Sequence, residues 1–242
     1  MFKNIKEDIK AFMERDPAAR SGVEIILCYS GFHALMFYRL SHWLWLRDWR
    51  LLARFIANFG KILSAIEIHP GARIGKRFVI DHGTGIVIGE TAEIGDDVTL
   101  YHDVTLGGVS PSEDSASQVG QKRHPTLGDG VIVGSGAAVL GPITIGSGAR
   151  IGANSVVTKA IPANVTAVGI PAKVLMPKNK SEHGRFVAYG TPDAPDPVVQ
   201  NIEELRREVM RLTKRVSELE SEEEAAPAKS KSSGSTRKRK TG

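Results

Sequence analysis

Residues 126–157 read TLGDGVIVGSGAAVLGPITIGSGARIGANSVV, and an aliphatic side chain returns in them at every sixth position. The repeated positions are Leu127, Val133, Val139, Ile145, Ile151 and Val157. Because a helix repeats about every 3.6 residues and a strand about every 2, a strict period of six fits neither element alone. Short strands that are joined by tight corners and stacked as a parallel β-helix do have this period. The sequence therefore predicts a solenoid.

The same six-residue repeat extends towards the N-terminus, with two interruptions. It runs through Ile68, Ile74, Ile80 and Ile86, slips by two residues, and resumes at Ile88, Ile94, Leu100 and Leu106. We therefore predict a β-helix domain over residues 66–176. The second interruption, residues 109–122, is polar and contains Ser, Gly and Pro, which is typical of an external loop. Long loops on rigid scaffolds often carry function.

Residues 1–65, which precede the solenoid, have helical rather than strand spacing. Ser21 followed by Glu24 is typical of a capped helix N-terminus. We predict one helix over about residues 25–45 and another over about residues 50–66. The apolar stripe of the second helix is expected to lie in the core. This region is the predicted helical N-terminal domain.

The pattern changes twice more after the solenoid. Residues 177–200 contain four prolines and are predicted to form a linker. Residues 201–224 have Ile or Val at heptad position a and Leu at position d, which predicts a coiled-coil helix. Its seam would consist of Ile202, Leu205, Val209, Leu212, Val216 and Leu219. Three heptads are marginal alone, so association needs another domain that brings the chains together; a helix docked on its own solenoid is the alternative.

Composition excludes several classes of protein. The single cysteine, Cys28, forbids an internal disulfide and fits a reducing compartment; its apolar neighbours predict a buried thiol. Neither a signal peptide nor a membrane helix is recognisable, so we expect a cytoplasmic protein without membrane contact. Six basic residues and no acid lie in residues 225–242, a predicted disordered tail, and account for the net charge of +5. The folded body is then close to neutral, and no nucleic-acid partner is expected.

The solenoid region contains four histidines, which are candidates for chemistry: His69, His82, His102 and His124. His82 follows Asp81, and an imidazole beside a carboxylate can act as a general base near neutral pH. Glu67 lies 15 positions before His82, almost one coil below, and is a candidate partner acid. Histidines on neighbouring coils are also typical of zinc sites, so metal binding remains the alternative interpretation.

Several segments together resemble the serine O-acetyltransferases of the hexapeptide-repeat acyltransferase superfamily. The matching segments are Arg15–Ala18, Gly31–Trp45, IHPGARIG (68–75), DHGTGIVIGETAEIG (81–95), VTLGG (104–108), RHP (123–125) and GIPAKV (169–174). The resemblance implies a left-handed β-helix. It also implies transfer of acetyl from acetyl-CoA to the hydroxyl of L-serine, giving O-acetyl-L-serine and CoA for cysteine synthesis.

The resemblance assigns roles to named residues. His82 would be the general base and Glu67, where many members have Asp, its supporting acid. Asp16 and Asp81 would hold the ammonium group of serine. The two remaining residues of this set are Arg123, which would hold the serine carboxylate, and His124, which would contact the reacting hydroxyl or the intermediate. Transfer would be direct, in a ternary complex, with no covalent enzyme intermediate and no metal.

The resemblance also implies a coenzyme site and an assembly. The pantetheine arm of acetyl-CoA would run near Gly107, Gly108, Ser135 and Ala153, with Arg150 near a phosphate. In similar enzymes the active site lies between neighbouring subunits of a trimer, with the His82 side from one chain and the Arg123 side from another. L-cysteine would be a feedback inhibitor at the serine site.

This chain departs from the family pattern in four places. The helical region is short, which favours a homotrimer over a hexamer. The loop before Arg123 is longer than usual, and His102 stands where Gln is common. The chain ends Lys240-Thr241-Gly242 instead of in Ile, so a complex with O-acetylserine sulfhydrylase is doubtful. The alternatives left open are a hexapeptide acyltransferase acting on another hydroxyl or amine, a zinc enzyme, and a non-catalytic scaffold.

Overall fold

A computed structural model describes residues 2–109, 115–175 and 197–225 of the chain. The chain divides into two units, residues 1–194 and residues 195–242. The predicted linker up to residue 196 and the predicted tail from residue 226 lie outside the described residues. No helix in the described ranges is both long enough and apolar enough to cross a membrane.

Four helices form the N-terminal part of the first unit: α1 (Phe2–Arg15), α2 (Gly22–Cys28), α3 (Ser30–Trp45) and α4 (Arg50–Ser64). Ser21 caps α2 as predicted, because its side chain accepts a hydrogen bond from the backbone N–H of Glu24. The helix predicted over residues 25–45 is in fact two. Tyr29, between them, has an extended backbone (φ −93°, ψ 108°). Cys28 is exposed, so the prediction of a buried thiol is wrong.

Helix α4 contradicts the prediction that its apolar stripe lies in the core. Leu51 is 86% exposed, and the side chains of Phe55 and Ile62 are exposed as well. The buried residues of α4 are the small ones, among them Gly60, where a Cβ would collide with the Phe37 side chain of α3. Close packing on α3 therefore selects small residues, and the large apolar ones face outwards in the single chain.

Fifteen short strands follow within the described residues and form the predicted solenoid. They are β1 (Glu67–Ile68), β2 (Arg73–Ile74), β3 (Val79–Asp81), β4 (Val87–Ile88), β5 (Glu93–Ile94), β6 (Thr99–Tyr101), β7 (Thr105–Gly107), β8 (Thr126–Leu127), β9 (Ile132–Val133), β10 (Ala138–Leu140), β11 (Thr144–Ile145), β12 (Arg150–Ile151), β13 (Val156–Val157), β14 (Thr166–Val168) and β15 (Lys173–Leu175).

The strands form three parallel sheets, which are the three faces of the solenoid. The first face has the order β1-β4-β7-β10-β13, the second β2-β5-β8-β11, and the third β3-β6-β9-β12-β14-β15. The chain visits the faces in rotation, and one pair, β14 with β15, is antiparallel. The repeated aliphatic positions fill the interior: Leu100, Leu106, Val133 and Ile151 have no exposed surface.

The two interruptions of the repeat lie at two different corners. Ile80 pairs with Leu100 and Ile88 with Leu106, so the two extra residues lie between β3 and β4. We call the edge between the third and first faces, which carries residues 82–86, the His82 corner. Ile94 pairs with Leu127, so the long insertion lies between β7 and β8. We call the edge between the first and second faces, which carries residues 89–92 and 108–125, the His124 corner.

The helices are fixed to the solenoid by buried polar contacts as well as apolar packing. Asp8 of α1, which is completely buried, pairs with Arg39 of α3 at 2.9 Å and accepts a hydrogen bond of 3.2 Å from the backbone N–H of Arg77 in the solenoid. Tyr38 donates a hydrogen bond of 2.8 Å to the carbonyl of Ala72. Gly31 lies against the Ile80 carbonyl, where a Cβ would collide with the strand. This close approach fixes the N-terminal end of α3 beside β3.

The second unit is described over one helix, α5 (Pro197–Ala225). It spans the predicted coiled-coil segment and also includes the last four residues of the predicted linker. All six seam residues are exposed in the single chain, from Leu219 at 48% to Leu205 at 66%. The self-association of this helix stays a prediction.

Candidate functional site

His82 projects from the corner that carries two extra residues. Its backbone is in the left-handed region (φ 62°), as is that of Gly83 (φ 59°), which lets the chain turn sharply after β3. The side chain of His82 is 73% exposed, and its Nε2 lies 3.6 Å from Oδ1 of Asp81. Burial raises the pKa of Asp81 above its ordinary value; His82 opposes this shift and Asp16 adds to it.

Asp16 is brought to the same corner from the α1–α2 loop. Its neighbour Arg15 anchors the loop, since the guanidinium donates to the carbonyl of Arg77 at 3.0 Å and pairs with Asp97. Asp16 accepts hydrogen bonds from the Tyr29 hydroxyl at 2.7 Å and from the backbone N–H of Ala18 at 2.8 Å. The hydrogen bond to Asp16 raises the pKa of Tyr29 to about 12, so this hydroxyl remains a donor.

Asp16 and Asp81 line one small cleft, together with Arg15, Tyr29 and the strand residue Tyr101. Two carboxylates in one small cleft favour a cationic ligand, because their mutual repulsion is relieved when a positive charge binds between them. The structure therefore groups three of the predicted residues, Asp16, Asp81 and His82, within one chain.

Glu67 is not grouped with them. It lies on β1, and its carboxylate forms an ion pair with Lys61 of α4. Among the described residues no hydrogen bond or ion pair joins Glu67 to His82. His102 instead lies one coil above His82, since Asp81 pairs with Tyr101 in the sheet.

Arg123 and His124 form a second group, at the other corner. The guanidinium of Arg123 is one-quarter exposed, forms an ion pair with Glu90, and donates to the carbonyl of Gln118 at 3.4 Å. A guanidinium has five N–H donors in a planar fork, so the ion pair with Glu90 orients the group and leaves other N–H donors for a ligand. The arrangement suits recognition of a carboxylate.

The ring of His124 is buried beside Arg123. Its Nδ1 accepts a hydrogen bond of 3.1 Å from the backbone N–H of Thr91. Burial lowers the pKa of His124 to about 4, and the positive charge of Arg123 adds to this shift. His124 is therefore neutral near pH 7. A Cβ on Gly89 would overlap the ring, so this position must lack a side chain.

The five residues predicted for the coenzyme are divided between the corners. Ser135 and Ala153 lie at the His82 corner, on the coils beyond His102, and Ser135 accepts a backbone hydrogen bond from Asn154 at 2.8 Å. Gly107 ends β7, and Gly108 follows it at the His124 corner; a Cβ on Gly108 would be 3.9 Å from Nε2 of His124. Arg150 begins β12 on the third face. In the single chain they do not form one site.

Three contributors to these groups were missed by sequence reasoning: Tyr29, Glu90 and Thr91. Glu90 and Thr91 lie inside the quoted segment 81–95, but the six-residue repeat marks only its inward positions. Tyr29 lies within the single helix that the sequence predicts over residues 25–45. Among the described residues there is no group of three His, Cys, Asp or Glu side chains suited to a metal ion. His69 lies at the His124 corner, away from His82 and His102.

Two family models match the chain. Residues 1–36 match the family described as Serine acetyltransferase, N-terminal, and residues 124–159 match Bacterial transferase hexapeptide (six repeats). A serine acetyltransferase from Mycobacterium tuberculosis is 51% identical over 212 residues, which cover 88% of each chain.

Solved structures agree with this similarity. The serine acetyltransferase of Neisseria gonorrhoeae, in complex with serine, has a TM-score of 0.66 and 43% identity, covering 71% of this chain and 68% of that one. Serine acetyltransferases in complex with CoA and with cysteine have TM-scores of 0.65 and 0.68 at 39% and 40% identity, each covering 72% of this chain and, respectively, 68% and 69% of theirs. From these similarities and from the parallel β-helix behind its helical domain, this chain belongs to the serine acetyltransferase family.

Proposed function

We propose that this protein transfers the acetyl group of acetyl-CoA to the hydroxyl of L-serine, giving O-acetyl-L-serine and CoA as a step towards cysteine. The observation that carries the proposal is the 51% identity to a serine acetyltransferase over most of both chains. The charges of the two corners add independent support. A pair of carboxylates, Asp16 and Asp81, and a guanidinium, Arg123, are the partners that the ammonium and carboxylate groups of an amino acid require.

His82 is the proposed general base. A serine hydroxyl is a weak nucleophile until its proton is removed, and an exposed imidazole beside a carboxylate can remove it as the oxygen attacks the thioester. The new C–O bond forms while the carbonyl π electrons move to oxygen. Collapse of that intermediate breaks the C–S bond, and the imidazolium returns the proton to the departing sulfur. Asp81, 3.6 Å from the ring, favours the transient positive charge of His82.

Glu67 remains the proposed supporting acid. For this role its carboxylate must exchange Lys61 for His82. A glutamate has one methylene more than aspartate, which extends its reach along the solenoid edge.

We infer that the active site forms between two subunits of a homotrimer. The base and the ammonium-binding residues lie at the His82 corner, and the carboxylate-binding Arg123 lies at the His124 corner. The first face separates these corners within one chain. Rotation about a threefold axis parallel to the solenoid would bring the His82 corner of one chain against the His124 corner of the next. A bound amino acid would then contact both groups.

The same arrangement supports the coenzyme assignment. A groove between two chains would have Ser135 and Ala153 on one side and Gly107 and Gly108 on the other, with Arg150 nearby for a phosphate. The glycines permit close approach of the pantetheine arm, and their N–H groups would stabilise the oxyanion. L-cysteine has the same ammonium and carboxylate as L-serine, so we propose that it competes at this site. The sulfhydrylase complex is not proposed.

A thiol-release assay tests the proposal. Acetyl-CoA is offered with L-serine, L-homoserine, L-threonine, a sugar or a primary amine, and free CoA is detected colorimetrically. We expect L-serine to give the highest kcat/KM. Preference for the sugar or the amine would point to a different hexapeptide acyltransferase. Release with none of the acceptors would indicate a protein without transferase activity.

A further inference from the structure

Thr91 lies at the His124 corner and contacts both of the predicted residues there. Its Oγ1 accepts hydrogen bonds from the backbone N–H of Arg123 at 3.0 Å and from that of His124 at 3.1 Å. The same oxygen lies 2.9 Å from Nδ1 of His124. The backbone N–H of Thr91 also donates to this Nδ1, at 3.1 Å. One residue thus supplies every hydrogen bond that the His124 ring makes within the described part of the chain.

The hydrogen-bonding capacity of a hydroxyl decides the tautomer of the ring. A threonine hydroxyl has one proton to donate and two lone pairs to accept with. The backbone N–H groups of Arg123 and His124 occupy both lone pairs, so the one hydroxyl proton is left for Nδ1. The backbone N–H of Thr91 can only donate. Nδ1 must then be an acceptor, and the proton of the neutral ring lies on Nε2.

The Nε2 edge of the ring lies beside two glycines. A Cβ on Gly89 would overlap this edge of the ring, and a Cβ on Gly108 would be 3.9 Å from Nε2. No hydrogen-bond acceptor for Nε2 occurs among the described residues. The donor therefore lies beside Gly108, in the region where the proposed function puts the thioester.

We propose that Thr91 is a positioning residue that locks His124 as an Nε2–H donor, so that His124 donates to the oxygen on which negative charge develops and does not act as a base. This inference rests on the proposed function. It divides the work between two histidines: His82 moves the proton, and His124 stabilises charge. A donor held in place before the reaction needs no reorganisation in the transition state.

Burial and the surrounding charges keep the His124 ring neutral. Burial is the largest cause of its lowered pKa, Arg123 and Lys122 add to the shift, and Glu90 opposes it. The half-buried ring of His69 lies at the same corner and also has a pKa lowered by burial to about 4. Protonation of Nδ1 would in addition set the new N–H against the Thr91 backbone donor. His124 thus remains a neutral donor throughout the pH range of a usual assay.

The first test compares Thr91→Val, which keeps the shape and removes the hydroxyl, with Thr91→Ser, which keeps the hydroxyl. The tautomer is read directly from the imidazole ¹⁵N NMR signals of His124 in protein labelled at histidine, assigned by their absence in His124→Gln. In the unsubstituted protein and in Thr91→Ser, we expect the proton of the His124 ring to lie on Nε2 and Nδ1 to be unprotonated. In Thr91→Val the backbone N–H of residue 91 is the one donor to Nδ1 that remains among the described residues, so we expect a partial shift towards the Nδ1–H tautomer and a fall in kcat of about tenfold.

A control measurement distinguishes a change of tautomer from a loss of folding. Thr91→Val also leaves two backbone N–H groups without their acceptor, so its thermal unfolding is measured beside that of Thr91→Ser. A protonated Nδ1 in the unsubstituted protein would overturn the proposal. So would a Thr91→Val variant that loses activity while its His124 signals are unchanged.

The second test separates a donor from a base. His124→Gln keeps an N–H donor near the position of Nε2 but cannot take up a proton, whereas His124→Ala keeps neither. We expect His124→Gln to have a kcat at least about tenfold above that of His124→Ala and to keep the acidic limb of the pH–rate profile. Loss of that limb in His124→Gln would identify His124 as the base and contradict us. Absence of serine-dependent turnover in the unsubstituted protein would reject the proposed function, while the NMR result on the tautomer would still stand.

Discussion

The His82 corner and the His124 corner each break the six-residue repeat, but they do so in opposite ways. Two extra residues at the first corner leave His82 exposed, with Asp81 3.6 Å away. A long insertion at the second precedes His124, which is buried and held by Thr91. The regular coils are aliphatic inside and chemically inert. The comparison indicates that the two proposed histidine roles belong to the two departures from the repeat, with His82 as the proposed proton acceptor and His124 as the proposed fixed donor.

The largest effect is expected when the exposed histidine is removed. His82→Ala should lower kcat by about 10²–10⁴-fold, the usual contribution of a general base. Binding of acetyl-CoA, followed by calorimetry, should persist, because the proposed coenzyme contacts lie elsewhere. The matched control is His102→Gln, one coil above, which should change kcat little since Gln is common there among similar enzymes. Unchanged turnover in His82→Ala would show that another group is the base.

Mixing two impaired variants, assayed at a serine concentration too low for Arg123→Ala to turn over appreciably, tests whether the corners of different chains meet. His82→Ala and Arg123→Ala chains, coexpressed with different tags, should form mixed trimers in which some interfaces have both intact corners. With random mixing in equal amounts, roughly a quarter of the interfaces would be intact, so activity should recover to roughly that fraction. Purified mixed trimers without activity would argue that both corners of one site belong to a single chain.

A selective effect on serine is expected at the second corner. Arg123→Ala should raise the KM for L-serine by about 10- to 100-fold through loss of a charge-assisted hydrogen bond. The KM for acetyl-CoA should be nearly unchanged, and Arg123→Lys should be intermediate because it retains the charge without the fork. A loss of acetyl-CoA binding instead would show that the guanidinium belongs to the coenzyme site.

The buried histidines should make stability depend on pH. The pKa values of His124 and His69 are lowered by burial to about 4 from an ordinary 6.5. Between these values the unfolded chain binds more protons, so stability should fall as the pH falls from 6.5 towards 4, by at most about 1.4 kcal/mol per pH unit for each histidine. Asp8 and Asp81, with raised pKa values, act in the opposite sense.

The comparison that isolates this effect is the slope of unfolding free energy against pH, measured by denaturant titration. His69→Gln and His124→Gln should each have a shallower slope than the unsubstituted protein. Equal slopes in all of these proteins would contradict the assignment of buried, neutral rings to the His124 corner.

The solenoid could be predicted from sequence because its interior imposes one repeated size on the side chains. Leu127, Val133 and Ile151 are buried as their spacing requires. The pair of Asp81 and His82 can be singled out from adjacency in the sequence, whereas Asp16 joins them only through the resemblance, because the α1–α2 loop reaches β3 only through tertiary contacts. Thr91 could not be found, because its function lies in a hydroxyl that joins residues 32 and 33 positions away.

The helices also show what sequence patterns cannot predict. An apolar stripe predicts a buried face, yet Leu51 and Phe55 of α4 are exposed in the single chain. Helical periodicity specifies that one face is apolar. It does not specify whether that face is covered by the same chain, and here the small residues of α4 make the internal contact with α3 instead.

The smallest effect is expected from removal of residues 201–242. If the solenoid brings the two corners together by itself, the shortened protein should still sediment as a trimer at micromolar concentration and keep its kcat. Helix α5 should contribute only at dilution, since its exposed seam can be buried by other copies once they are held close, and Arg215 at position g can pair with Glu220 at position e of a neighbour. The full-length protein should then retain activity at lower concentrations than the shortened one. Leu212→Asp, which puts a charge in the seam, should reproduce the loss at dilution without shortening the chain. Monomers in the shortened protein at micromolar concentration would make the heptads, and not the solenoid, the element that brings the corners together.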